Sequence, residues 1–142
     1  MTRVGFYVLQ AAAPDKRLQV AARLAEKAFH RGHAIFINCD SQSQATKLDD
    51  LLWRFRPDSF LPHGLIGSDT AEHIAIGWAQ DPQEHDDLLI NLDLVVPVFF
   101  SRFHRVAEVV TQDPQSLEAL RASWAFYRER GLALEKHDIR GV

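Results

Sequence analysis

The sequence has little of what small proteins use to cross-link themselves. Its single cysteine, Cys39, cannot form an intrachain disulfide or complete a cysteine-based zinc site. A chain of 142 residues with 46% hydrophobic residues does not need such cross-links, because a domain of this size buries about 70% of the surface that its unfolded chain exposes. We therefore expect one domain over residues 1–142, with Cys39 as a free thiol in its core.

Excess positive charge and long apolar runs are also absent. The 16 Lys and Arg residues against 19 Asp and Glu residues give a net charge of −3, so the whole molecule has no field that would draw it onto a nucleic-acid backbone. No apolar run approaches the roughly 20 residues that cross a bilayer, and residues 1–3 lead directly into a strand pattern instead of a signal peptide. We expect a soluble, cytoplasmic protein without membrane contact.

Strand and helix patterns alternate along the first third of the chain. Residues 4–9 and 34–39 are short apolar runs typical of buried strands. Between them, apolar positions recur at helical spacing from a candidate N-cap, Asp15, to Gly32. This order predicts an α/β fold: a three-layer domain with a largely parallel sheet and helices on its faces.

The rest of the chain continues this pattern. The segment from Ser41 to Gln44 predicts a capping box that opens a second helix. A last helix is predicted from the N-cap Asp113, with Pro114 at its first position, to Gly131. Further strands are predicted at residues 73–78, 87–92 and 105–110, and the tail from Leu132 to Val142 is expected to pack only in part.

The sequence contains no glycine loop of the kind that cradles a phosphate. The turn after the first strand, residues 10–15, has no glycine, and Gly64 and Gly67 are interpreted as turn residues because no lysine follows them. The pair His30 and His33 lacks the spacing of metal ligands on one helical face, and no serine or cysteine lies in a nucleophile elbow. We predict no metal, no cofactor and no catalytic residue; the acidic pairs 49–50 and 86–87 are interpreted as solvated.

Two groups of residues are candidates for protein binding. On the last helix, Leu117, Arg121, Trp124 and Arg128 fall on one stripe at about 100° per residue. Two guanidinium groups beside an indole suit an acidic peptide that ends in a hydrophobic residue; a core-facing tryptophan between solvated arginines is the alternative. The second group is an aromatic cluster bounded by Arg54, Arg56 and Asp58, which either covers the core or forms an exposed interface; it comprises Trp53, Phe55, Phe60, Leu61 and Pro62.

Taken together, these segments resemble the family of chi subunits of bacterial DNA polymerase III, small accessory proteins of the clamp loader. The resemblance covers most of the chain, and its most specific part is Leu48 to Trp53 followed by Asp58 to His63. It also includes residues 6–9, 87–92 and, in the last helix, Ser116-Leu117 and Tyr127-Arg128.

The resemblance implies a fold like that of nucleotide-binding domains, without the phosphate loop, and a noncatalytic protein that reaches DNA only indirectly. Family members bind the acidic C-terminal tail of single-stranded DNA-binding protein, whose last residue is phenylalanine, and the psi subunit of the clamp loader. The positions similar to the tail-binding pocket are Val110, Arg121, Trp124 and Arg128, and those similar to the psi contact are Trp53, Phe60, Leu61 and Pro62.

Two positions depart from the family pattern. Leu117 stands where the family has a basic residue, and Trp124 where it has a phenol. The lost cation should weaken the hold on an acidic tail unless Arg128 or Lys136 supplies the charge. Two other functions stay open: a nucleotide-binding enzyme with an unrecognised phosphate site on the same α/β scaffold, and a scaffold whose aromatic cluster forms a homodimer.

Overall fold

The computed structural model describes residues 1–55 and 60–140. Helices and strands alternate through most of this range. The strands are β1 (Arg3–Leu9), β2 (Ile35–Cys39), β3 (Gly64–Leu65), β4 (Ile74–Trp78), β5 (Leu88–Asn91), β6 (Arg105–Val110) and β7 (Ala133–Ile139), and the helices are α1 (Lys16–His30), α2 (Gln42–Arg54) and α3 (Pro114–Glu129).

One sheet contains the seven strands, in the order β3-β4-β2-β5-β6-β1-β7. Every pair of neighbouring strands is parallel. Helices α1 and α2 pack on one face of the sheet and α3 packs on the other. The buried side chains accordingly form two clusters, one on each face, and successive residues of a strand belong to different clusters. The predicted three-layer α/β fold is therefore confirmed, and the sheet is wholly parallel. None of the helices in the described part of the chain could span a membrane.

Local signals placed most helix ends correctly. At α2, the Ser41 side chain accepts a hydrogen bond from the Gln44 backbone N–H, and the Gln44 side chain accepts one from the Asp40 backbone N–H. At α3, Asp113 accepts from the Ser116 backbone N–H, as predicted for an N-cap. Asp15 differs from the prediction: its backbone is already helical and its side chain makes no capping hydrogen bond.

The C-terminal segment is more ordered than the sequence predicted. Residues 133–139, expected to pack only in part, form β7 and pair with β1 along its whole length, from Arg3 opposite Ala133 to Leu9 opposite Ile139. Because β7 is an edge strand, charged side chains line much of it, and the apolar run that marks a buried strand is missing.

The opposite edge also contains a strand that the sequence did not reveal. Gly64 and Leu65, predicted as part of a turn, form the short strand β3 beside β4. A Cβ atom at Gly64 would lie 2.1 Å from the Thr70 side chain, so this close approach requires glycine. Gly67 does lie in a turn, with φ of 91°.

Cys39 lies at the end of β2 with 1% of its surface exposed. Burial raises the pKa of its thiol to about 12. The free core thiol predicted from the sequence is confirmed.

A polar row crosses the sheet on the face that α3 covers. Asn38 Nδ2 donates to Asn91 Oδ1 at 3.0 Å, and Asn91 Nδ2 donates to Glu108 Oε1 at 3.0 Å. From α3, the Tyr127 hydroxyl donates to Glu108 Oε2 at 2.7 Å. The three sheet residues lie side by side on β2, β5 and β6. This row fixes α3 to the sheet, because each buried polar group depends on its partners.

The buried carboxyl group of this row predicts a pH dependence of stability. Burial raises the pKa of Glu108 from 4.5 to about 7, although hydrogen bonds from Tyr127 and Asn91 lower it. The folded protein therefore holds a proton that the unfolded chain releases between these two values. The resulting stabilisation is complete below pH 4.5 and lost as the pH rises through 7, and it amounts to about 3 kcal/mol.

Urea unfolding at pH 5 and pH 8 measures this effect. We expect the free energy of unfolding to fall with rising pH in the original protein and to change much less in Glu108→Gln, whose side chain stays neutral. Parallel pH profiles for the two proteins would contradict this assignment.

Candidate functional site

A cleft lies between α3 and the β1–β7 end of the sheet, and we call it the α3 cleft. Its volume is about 400 Å³. Phe6 and Val8, which point from β1 toward α3, line it together with Leu120. Arg121, Trp124 and Arg128 line it from the helix, and Lys136 lines it from β7. The cleft thus combines an apolar floor with three cationic side chains.

Trp124 is held in the cleft by the sheet. Its ring centroid lies 5.0 Å from that of Phe6, and the side chain remains half-buried. Neither sequence interpretation of Trp124 was complete: the indole packs on the apolar core and also lines the open cleft. Its position, between two arginines one helical turn away on either side, follows from the α3 stripe.

The cations of the α3 cleft are available to a ligand. Arg121 and Arg128 are exposed, and within the described ranges neither forms an ion pair. Lys136 Nζ lies 3.7 Å from Asp138 Oδ1, with both side chains more than half exposed. An exposed pair of this kind contributes little stability, so Lys136 can exchange its partner at small cost.

Val110 of the predicted tail pocket and Leu117 of the predicted stripe both lie outside the α3 cleft. Val110 is buried in the core beside Val8 and does not line the α3 cleft. Leu117 is half-buried against the same core cluster and also lies outside the lining. The position that lacks the family's cation is therefore not part of the cleft, whereas Lys136 is. The sequence named Lys136 only as a compensating charge, and it gave no signal that Phe6 and Val8 form the floor.

The aromatic cluster divides into exposed and buried members. Trp53 is 56% exposed and Phe60 is 68% exposed, with their ring centroids 5.9 Å apart. Pro62 is half-buried, while Leu61 belongs to the hydrophobic core. Phe55 is also half-buried against that core. Arg56, Asp58 and Ser59, which the sequence analysis placed beside this cluster, lie outside the described residues.

A buried histidine packs against Trp53, one of the two exposed aromatic side chains. His63 packs on Trp53 with ring centroids 4.5 Å apart. Its Nδ1 must carry a proton, because it lies 2.7 Å from the Leu61 carbonyl oxygen, which only accepts. Its Nε2 lies 3.2 Å from Asp49 Oδ1. These contacts hold Leu61 inward and Trp53 outward. We call Trp53, Phe60 and Pro62 the aromatic surface.

The other candidate residues have structural partners. His33 Nδ1 lies 3.1 Å from Asp87 Oδ2, and the same carboxylate accepts from the Ala34 backbone N–H. Asp87 therefore orders the start of β2 and is not freely solvated as predicted. Within residues 1–55 and 60–140, no three His, Cys, Asp or Glu side chains are grouped for a metal ion.

The comparisons with known proteins agree on one family. The family model described as "DNA polymerase III chi subunit, HolC" matches residues 1–135. The chain is 46% identical over 139 residues to DNA polymerase III subunit chi of Pseudomonas aeruginosa, with 98% of each chain covered. It is 29% identical over 137 residues to the same subunit of Haemophilus influenzae, covering 94% of this chain and 95% of the other. Identity to the Escherichia coli subunit is 28% over 119 residues, covering 82% and 81%.

Proposed function

Since the chain belongs to the family of DNA polymerase III chi subunits, we propose that it is a noncatalytic adaptor with two partners. One is the acidic C-terminal tail of single-stranded DNA-binding protein, and the other is the psi subunit of the clamp loader. Family membership makes the chain a replication subunit. Its proposed role is to connect the replicase to DNA that is coated with single-stranded DNA-binding protein.

The α3 cleft is the observation that carries this proposal. A tail that is acidic and ends in phenylalanine needs cations for its carboxylates and an apolar slot for its ring. Arg121, Arg128 and Lys136 surround a floor made by Phe6 and Val8. Helix α3 supplies two of these cations and strand β7 supplies the third, so a peptide in the cleft meets positive charge from both elements.

The departure at Leu117 fits this arrangement. Its side chain packs against the core, outside the cleft. A cation at that position is not needed to line the cleft, because Lys136 brings a charge from β7 instead. The charge complement of the tail site therefore depends on the sheet edge as well as on α3.

The aromatic surface is the proposed contact for the psi subunit. Large exposed aromatic side chains that lie side by side are typical of interface hot spots. Trp53 and Phe60 meet this description, and Leu61 contributes by fixing the segment to the core. The surface lies at the end of α2, on the face of the sheet opposite to α3, so both partners can bind at once.

The loop that follows β1 is consistent with a noncatalytic role. In nucleotide-binding α/β proteins a glycine loop after a strand holds the phosphates at a helix N-terminus. Here residues 10–15 connect β1 to α1 without a glycine. The α3 cleft and the aromatic surface both have the chemistry of protein binding.

The tail site predicts the effect of removing one arginine. Arg121→Ala should weaken binding of an acidic peptide ending in Asp-Ile-Pro-Phe by roughly 1–3 kcal/mol, because a guanidinium–carboxylate pair is lost. A fluorescence titration at low salt measures this change.

Arg23→Ala is the matched control, since Arg23 is exposed on α1, on the other face of the sheet. It should bind the peptide normally, and a peptide without its terminal phenylalanine should bind weakly to every variant. Unchanged affinity in Arg121→Ala would reject Arg121 as a tail ligand.

The aromatic surface predicts a separate effect on the clamp loader. Phe60→Ala should weaken binding to the psi subunit of the same organism by about 2 kcal/mol or more, as at an interface hot spot. It should not change the melting temperature, because 68% of the Phe60 side chain is already exposed. Isothermal titration calorimetry with purified psi tests this expectation.

Val98→Ala is the control for loss of an exposed apolar side chain, since Val98 is 96% exposed and its neighbours Val96 and Phe99 pack on the opposite face of the sheet. Sedimentation of the chain alone across a dilution series distinguishes the alternative. A dimer that Phe60→Ala converts to a monomer would assign the aromatic surface to self-association instead.

A further inference from the structure

A second cleft lies on the other face of the sheet, beside α1, and we call it the α1 cleft. Its volume is about 360 Å³. Leu24 and Ala28 of α1 line it together with Ala107 of β6. It forms because α1 does not cover the β1–β7 end of the sheet, where the facing residues Gly5 and Ala107 are small. Neither proposed partner uses this surface.

An aromatic ring forms one wall of the α1 cleft. Tyr7 stacks on His137, with ring centroids 4.7 Å apart and an angle of 17° between the planes. His137 belongs to β7, on one side of β1, whereas the lining residues Arg105 and Ala107 belong to β6, on the other side. The ring face of Tyr7 that His137 does not cover is therefore turned toward the cleft.

Glycine at position 5 allows this arrangement of the ring. A Cβ atom there would lie 3.2 Å from Tyr7 Cε1, a distance at which the ring would have to give way. The tyrosine thus lies along its own strand with one face stacked and one face free. A fixed ring of this kind is a platform on which a planar group can stack without loss of side-chain freedom.

Three cations surround this platform. Lys27 and Arg31 are four residues apart at the end of α1, and Arg105 begins β6. All three are exposed, and none forms an ion pair with a described residue. The helix dipole favours cations at the end of α1, but it does not explain Arg105. The one carboxylate in the lining, Asp87, is already bound by His33 and the Ala34 N–H.

The free face of the Tyr7 ring and the three cations together favour one class of anionic ligand over others. An acidic peptide without an aromatic residue would use the cations but leave the tyrosine face without a partner. Duplex DNA would present its phosphates, but its bases are stacked inside the helix and cannot reach the ring. A single strand presents both an unstacked base and phosphates on either side of it. The cleft volume is that of a site for one small ligand, which matches a single nucleotide unit.

We propose that the α1 cleft binds single-stranded DNA directly, with one base stacked on Tyr7 and three neighbouring phosphates of the strand on Lys27, Arg31 and Arg105. This direct contact departs from the expectation that the protein reaches DNA only indirectly. It is local, because the net charge of −3 gives no long-range attraction to DNA. It lies on the opposite face of the sheet from the α3 cleft, so the same molecule can hold a protein tail and a nucleotide together. The inference does not depend on the tail or psi assignments.

The test measures fluorescence anisotropy of a labelled oligodeoxythymidylate with the full chain at about 50 mM salt. Three phosphate contacts predict a slope of about −2 for log K against log salt concentration. Lys27→Ala and Arg105→Ala should each reduce that slope to about −1.4. Tyr7→Leu should weaken binding at least about fivefold without changing the slope, because it removes stacking and no charge.

Lys47→Ala is the matched control, since Lys47 is an exposed lysine on α2 outside the cleft. Melting temperatures show whether each variant is folded, and the two cation variants keep the test valid if Tyr7→Leu is unstable. The proposal fails if the oligonucleotide does not bind at this salt concentration, or if Lys47→Ala matches Lys27→Ala. It also fails if duplex DNA, thymidine monophosphate or polyglutamate binds as well as the single strand does, or if the acidic peptide that ends in phenylalanine displaces the single strand.

Discussion

The parallel pairing of β1 with β7 is the constraint on which both candidate clefts depend. It joins the start of the chain to its last strand over seven residue pairs, from Arg3 opposite Ala133 to Leu9 opposite Ile139. On one face of the sheet it brings Lys136 next to Phe6, where the lysine completes the α3 cleft. On the other face it brings His137 next to Tyr7 and fixes the ring that borders the α1 cleft.

The polar row beneath α3 gives this region its rigidity. A wholly parallel sheet is buried on both faces, so most of its side chains are apolar and specify few unique contacts. Glu108 and Asn91 are exceptions. Asn91 donates to Glu108, and Glu108 accepts from the Tyr127 hydroxyl, which fixes the position of α3 along the sheet. Because Tyr127 lies between Trp124 and Arg128 in the sequence, the same bond sets the direction of both side chains toward the cleft.

The candidate surfaces are separated by the layers of the fold. The α3 cleft lies on one face of the sheet, while the aromatic surface and the α1 cleft lie on the other, at α2 and α1. Such a separation fits the proposed adaptor role, since partners that bind on different layers do not compete for space.

The sequence by itself determined the α/β class, five of the strands (β1, β2, β4, β5 and β6), the three helices and the stripe of Arg121, Trp124 and Arg128, because capping and periodicity act within a few residues. Only the tertiary structure decided that Lys136 faces this stripe, that Leu61 is buried beside an exposed Phe60, and that Tyr7 borders a second cleft. These features depend on strand pairing between distant parts of the chain. The edge strand β7 has no apolar run from which it could be predicted. One of its sides has no neighbouring strand, and its charged side chains remain in water.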